Sequence, residues 1–150
     1  MLLTPRNDWG ERVAGAYRDG FREAGGEIIE SATYDPEAAD HSDTLEALFN
    51  LDASQRRYRA LRDHLRRSLE FTPYRRQDME AVFLAAFPRQ ARLLLPQIRF
   101  HHGLQVPVYA TSDADPRPAD ASAHQDLEGL RLVTVPWLAP GDGQRTGGLA

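Results

Sequence analysis

The chain has 150 residues, a formal net charge of −4 and no cysteine. That length holds one core and not two, and the missing thiols exclude disulfides and cysteine chemistry. The negative balance argues against a dedicated nucleic-acid binder, and no apolar run approaches the ~20 residues of a membrane span.

All 18 basic residues are arginine, which removes Schiff-base and phosphate-loop lysine chemistry. Residues 1–52 carry 12 acids against 4 arginines, and residues 53–105 carry 4 acids against 11. A negative first third facing a positive middle suggests internal complementarity.

The opening Met1-Leu2-Leu3-Thr4-Pro5 is too short for a signal peptide. It reads as half a strand, with Leu2-Leu3 ending it. Asn7-Asp8-Trp9-Gly10-Glu11 then starts a helix, with Asp8 as N-cap and Glu11 three residues on. Trp9, Val13, Ala16, Tyr17, Gly20, Phe21 and Ala24 recur at helical spacing and predict the buried face. Gly25-Gly26 stops the helix through a left-handed cap. A second strand is expected over 27–34, ended by Asp35-Pro36. Strand, helix and strand make a right-handed crossover unit.

Two helices follow. One starts near Asp43 and shows Leu45, Leu48 and Phe49 on one face. The other starts near Ser54, with Tyr58, Leu61, Leu65 and Leu69 inward. It carries Arg56, Arg57, Arg59, Arg62, Arg66 and Arg67, partly self-paired with Asp63 and Glu70 at i,i+4. Tyr58 sits among these arginines on the inward face and no other aromatic residue interleaves to stack on bases, so a solvated face is the simpler account and a nucleic-acid or acidic-partner stripe the sharper one.

Ala81 to Ala86 is uncharged throughout and lacks alternation, which suits a strand covered on both faces. Pro88 fits the first turn of the next helix. That helix runs to about His102, burying Ala91, Leu94, Leu95, Ile98 and His102, with Gly103 as its stop. Pro96 inside it predicts a kink or a break in two. A fourth strand is expected over 106–110, then a long loop over 113–128 with no hydrophobic period. Leu130 to Val135 is the fifth strand, ended by Pro136-Trp137. Residues 139–150 have linker composition and read as a disordered tail after a single lobe over 1–138. The fold class is therefore α/β, a three-layer and mainly parallel doubly wound sheet of about five strands.

Catalytic chemistry finds no foothold in this pattern. The adjacent His101 and His102 diverge by about 100° on a helix and do not converge on a metal. Ser112 has no nucleophile elbow. Asp113 and Asp115 lack the glycine and the downstream glutamate of a calcium loop. A receiver domain shares the layout, but the central strand exits into Phe87-Pro88 with no aspartate to accept phosphate. No catalytic residue, metal or cofactor is expected.

Four blocks in order carry a family resemblance. Leu3-Thr4-Pro5-Arg6-Asn7-Asp8-Trp9-Gly10-Glu11-Arg12-Val13 is the first. The stretch from Arg75 to Leu95, with Arg75-Arg76-Gln77-Asp78 and Val82-Phe83-Leu84-Ala85-Ala86, is the most specific. Pro107-Val108-Tyr109-Ala110-Thr111-Ser112 is the third, and Leu127-Glu128-Gly129-Leu130 with Pro136-Trp137 the last. Together they resemble the C-terminal region of LppC-type lipoproteins, the penicillin-binding protein activators. The resemblance implies one lobe of a fold like that of type I periplasmic binding proteins, with strand order 2-1-3-4-5. It also implies an outer-membrane lipoprotein that reaches through the periplasm. Such a protein contacts a class A penicillin-binding protein, stimulates peptidoglycan synthesis and is not itself an enzyme. The lipobox cysteine, the helical-repeat domain and the sister lobe of that family have no counterpart in these blocks, so the chain reads as an excised lobe or a truncated product.

Candidate binding residues follow from the layout. Arg6, Asn7, Asp8, Arg89, Thr111 and Ser112 lie just past predicted strand C-termini, where helix starts offer N–H groups to a ligand. The alternative is that Asp8 caps its helix, Arg89 is solvated and Thr111-Ser112 turns the chain. Arg75, Arg76 and Asp78 sit at the opposite end of the central strand, as an ion-paired turn or as part of a docking surface for a partner. Apolar surface around Trp137 makes self-association of the lobe an expectation too.

Overall fold

The computed structural model describes residues 1–51, 64, 78–102, 106–116 and 126–134. Its strands are β1 (Leu2–Pro5), β2 (Ser31–Tyr34), β3 (Val82–Leu84), β4 (Val108–Thr111) and β5 (Leu130–Val133). Its helices are α1 (Asp8–Glu23), α2 (Ser42–Leu48) and α3 (Pro88–His102), with a 3-10 turn at Ser112–Ala114. The sheet is parallel throughout and ordered β2-β1-β3-β4-β5.

Alternation in β3 sorts the two faces. Val82 and Leu84 point to the side of α2 and α3, where Leu45, Leu48, Phe49, Ala91, Leu94, Leu95 and Ile98 are buried. Phe83 and Ala85 point to the side of α1, with Ala14, Trp9, Val13 and Tyr17. The central strand is thus covered on both faces, which is why it reads as an uninterrupted apolar run. Val82 through Ala86 are all buried, and the Ala85 N–H still donates to the Leu3 carbonyl oxygen at 2.9 Å.

Helix α1 departs from its expected cap and face. Asn7, not Asp8, is the N-cap: its Oδ1 accepts from the Gly10 N–H at 2.8 Å. Asp8 is the first helical residue, where its charge complements the helix dipole. The buried stripe is centred on Gly10 and Ala14, while Ala16, Gly20 and Ala24 face solvent. Small residues at the centre let α1 approach the sheet closely. A Cβ at Gly10 would run into the Pro5 carbonyl oxygen. The C-terminus closes as expected. Gly25 adopts φ 83°, Gly26 N–H donates to Phe21 O at 2.8 Å, and Gly25 N–H donates to Arg22 O at 2.9 Å, the paired bonds of a Schellman cap.

Three strands are shorter than their apolar runs. β2 begins at Ser31 because its partner β1 begins at Leu2, opposite Ser31. β4 begins at Val108 for the same reason, since Val108 lies opposite Val82 at the start of β3. β5 ends at Val133, opposite the last residue of β4. Pro96 does not break α3, which runs as one helix over Pro88–His102. Pro96 faces solvent, and next to it the Gln97 Nε2 donates to the Leu93 carbonyl oxygen at 3.0 Å. The expected arginine-rich helix near Ser54, the Gly103 stop, the His102 side chain, Pro136-Trp137 and the 139–150 tail lie outside the described residues.

Candidate functional site

Because all the strands run parallel, their C-terminal ends share one edge of the sheet. The exits of β1, β2, β3 and β4 lead to Arg6-Asn7, Asp35-Pro36-Glu37, Phe87-Pro88-Arg89 and Ser112-Asp113. The strand order reverses between β1 and β3, where open sheets of this kind usually place a binding crevice. Here two aromatic rings meet at that point. Trp9 from α1 stacks on Phe87 from the β3 exit, with centroids 4.6 Å apart and planes at 28°.

A concavity borders Pro88, the residue after Phe87 of that stack. A cleft of about 640 Å³ is walled by Ala39 from the β2–α2 loop, by Pro88, Arg89, Arg92 and Leu93 of α3, and by Asp115 and Pro116 beyond β4. Its volume is in the range of small-molecule sites.

Two glutamines on one face of α3 hold the β2–α2 loop in place. Gln90 Nε2 donates to the Pro36 carbonyl oxygen at 3.3 Å. Gln97 Nε2 donates to the Ala39 carbonyl oxygen at 3.0 Å, and its Oε1 accepts from the His41 N–H at 2.8 Å. Asp35 shapes the same loop, accepting from the Glu37 N–H at 2.9 Å as an Asx turn does.

His41 is only 3% exposed, and its Nε2 has no hydrogen-bond partner. Burial pushes its pKa down, against the smaller upward pull of Asp40 and Asp35. Asp40 accepts from both the Ser42 N–H and the Ser42 hydroxyl, and these bonds hold its carboxyl below the ordinary value.

The structure divides the expected ligand set. Arg6, Asn7 and Asp8 lie at the α1 start, exposed, with the Asn7 side chain committed to capping. Arg89 lines the cleft and meets Glu37 at 3.7 Å, both side chains largely exposed. Thr111 ends β4 half-buried, with its Oγ1 out of water and without a partner, and Ser112 opens the 3-10 turn. Of the six, only Arg89 is a wall of the cleft. Asp78 is exposed, and Arg75 and Arg76 lie outside the described residues.

Arg92 was not among the expected residues, although its i,i+3 spacing from Arg89 puts both on one helix face. Its Nε is buried and has no acceptor. Ala39 and Asp115 carry no local signal at all, because only the fold brings them to α3. Among the described residues, no group of three or more His, Cys, Asp or Glu could hold a metal ion. No described helix is long and apolar enough to cross a membrane.

Residues 1–146 match the family described as "LppC putative lipoprotein". Over 145 residues the chain is 23% identical to the penicillin-binding protein activator LpoA of Vibrio antiquarius (strain Ex25). The match covers 95% of this chain and 23% of that protein, so the chain spans about a quarter of the relative's length.

Proposed function

The chain belongs to the LppC family, and on that premise we propose that it is a non-enzymatic lobe of an envelope lipoprotein that activates a class A penicillin-binding protein. It acts in peptidoglycan synthesis by protein–protein contact, in the periplasm, tethered to the outer membrane through the parent lipoprotein. The observation that carries the reading is the family match over residues 1–146, with a relative named a penicillin-binding protein activator. The strand-end groups are consistent with it: Asn7 caps a helix, Phe87 stacks, and Ser112 turns the chain.

The physical mechanism is differential binding. The lobe favours the active conformation of the synthase only as far as it binds that state more tightly than the resting one. Titrating the isotope-labelled chain with the periplasmic docking region of a class A synthase tests this. Saturable shifts confined to one surface are expected; spectra unchanged at high concentration count against contact by this lobe.

A second reading is favoured by the cleft beside α3. It treats the chain as a small-molecule-binding lobe whose ligand modulates the parent protein. Three separate segments wall that cleft, and two glutamines brace its loop. A thermal-shift screen of small polar metabolites tests it, and the reading fails if none raises the melting temperature.

A further inference from the structure

We propose that the cleft beside α3 takes a small aliphatic carboxylate, gripped by Arg92 with Arg89 beside it. The proposal rests on the small-molecule reading above and adds the class of ligand.

The first observation is the state of Arg92. Its Nε is removed from water and has no acceptor, although the side chain borders an open cleft. The Nε–H of that guanidinium lacks an acceptor oxygen. A carboxylate supplies that oxygen, because its two acceptors match the planar fork of an arginine.

The second is the charge around it. Arg89 and Arg92 are three residues apart on the cleft wall, and α3 has no acid in its first turn. Glu37 reaches only Arg89, at 3.7 Å, from a side chain that is 80% exposed. Such a pair is weak and yields easily to a ligand. Asp115, which lines the same cleft, already has interactions of its own.

The third is the rest of the lining. Ala39, Pro88, Leu93 and Pro116 offer apolar surface around the two arginines. That surface suits a short aliphatic stem and gives nothing to a fully hydrated phosphate. The shared anionic chemistry admits both ligands, and the apolar walls favour the carboxylate.

The test uses the full chain, isotope-labelled and at low ionic strength. It is titrated in turn with N-acetylalanine, with the uncharged N-acetylalaninamide, and with inorganic phosphate. N-acetylalanine is expected to give saturable shifts at Ala39, Arg92 and Leu93, with the amide at least about tenfold weaker. Arg92→Gln is expected to weaken the acid about tenfold and leave the amide unchanged. Equal binding of acid and amide overturns the carboxylate assignment and leaves the small-molecule reading standing. Phosphate binding more tightly than the acid also overturns it. No saturable binding by any of the three overturns the carboxylate assignment, and the thermal-shift screen then decides the small-molecule reading. Should Arg92→Gln fail to fold, the comparison of acid with amide on the unaltered chain decides.

Discussion

Trp9 and Phe87 stack face to face, 4.6 Å between centroids, at the point where the strand order reverses. One ring comes from the helix that covers one side of the sheet. The other leaves β3 on its way to the helix that covers the opposite side. The two rings thus clamp the switch point of the sheet from both layers, and a cleft lies beside α3.

That clamp has a measurable energy. Phe87→Ala removes a ring that is 46% exposed, so much of the loss is the stacking itself. A double-mutant cycle of Trp9→Ala and Phe87→Ala by urea unfolding is expected to give a coupling of about 0.5–1.5 kcal/mol. Additive single effects would show that the rings are neighbours without mutual stabilisation.

Tyr34 reaches across β1 from the end of β2, and its hydroxyl donates to the Ala85 carbonyl oxygen at 2.9 Å. Tyr34→Phe leaves that buried acceptor without its donor and is expected to cost about 1–3 kcal/mol. Burial pushes the Tyr34 pKa well above the ordinary phenol value. Its neutral form is therefore favoured by folding. The stabilisation is complete below the unfolded value of 10.0 and is lost as pH rises past it. Phenolate absorbance should show one tyrosine that ionises only as the chain unfolds in alkali, and the Phe variant should lack it.

Helix α1 provides a direct contrast between neighbours. Asn7→Ala removes the side-chain cap and is expected to cost about 1 kcal/mol. Asp8→Asn removes only a charge at the positive end of the helix, expected at about 0.3–1 kcal/mol and shrinking with added salt. Asn7→Asp should be nearly neutral, because the carboxylate accepts the same bond from Gly10. Thermal denaturation of the three variants at two salt concentrations separates the roles. A larger loss at Asp8 than at Asn7 would reverse the assignment.

His41 predicts an acid limb of stability. Its pKa is depressed by burial, so the folded state favours the neutral ring. The stabilisation is present above the unfolded value of 6.5 and is lost as pH falls through the lower folded value. His41→Phe retains an aromatic ring against Tyr34, which His41 meets edge-on at 5.4 Å. Stability measured from pH 7.5 down to pH 4.5 should fall less steeply in this variant. Superimposable profiles would show that other groups govern the acid limb.

The reading of Val82 to Ala86 from sequence shows what one-dimensional pattern carries. An apolar run without alternation demanded cover on both faces, and the sheet supplies it through Ala14 and Tyr17 on one side and Leu94 and Leu95 on the other. Strand lengths were less legible. Ile28 and Ile29 look like strand residues, yet the ladder starts at Ser31, because a ladder extends only as far as its partner. The cap of α1 was misplaced by one residue for a similar reason. Asn7 and Asp8 are both good caps, and only the folded backbone, extended at Asn7 and helical from Asp8, selects between them.

What the sequence determined by itself is the class of fold, the family and the part of the core built from β3 and α3. These depend on hydrophobic period, on turn chemistry at Gly25 and Pro88, and on blocks that keep their order along the chain. What only the tertiary structure decided is where binding chemistry gathers. Ala39, Arg92 and Asp115 are far apart in the chain and meet because α3 packs against the loop that follows β2. Arg6 and Arg89 sit past neighbouring strands, yet they serve opposite layers because the crossovers leave the sheet on different sides. Convergence of that kind is a property of packing in three dimensions, and no periodicity along one chain encodes it.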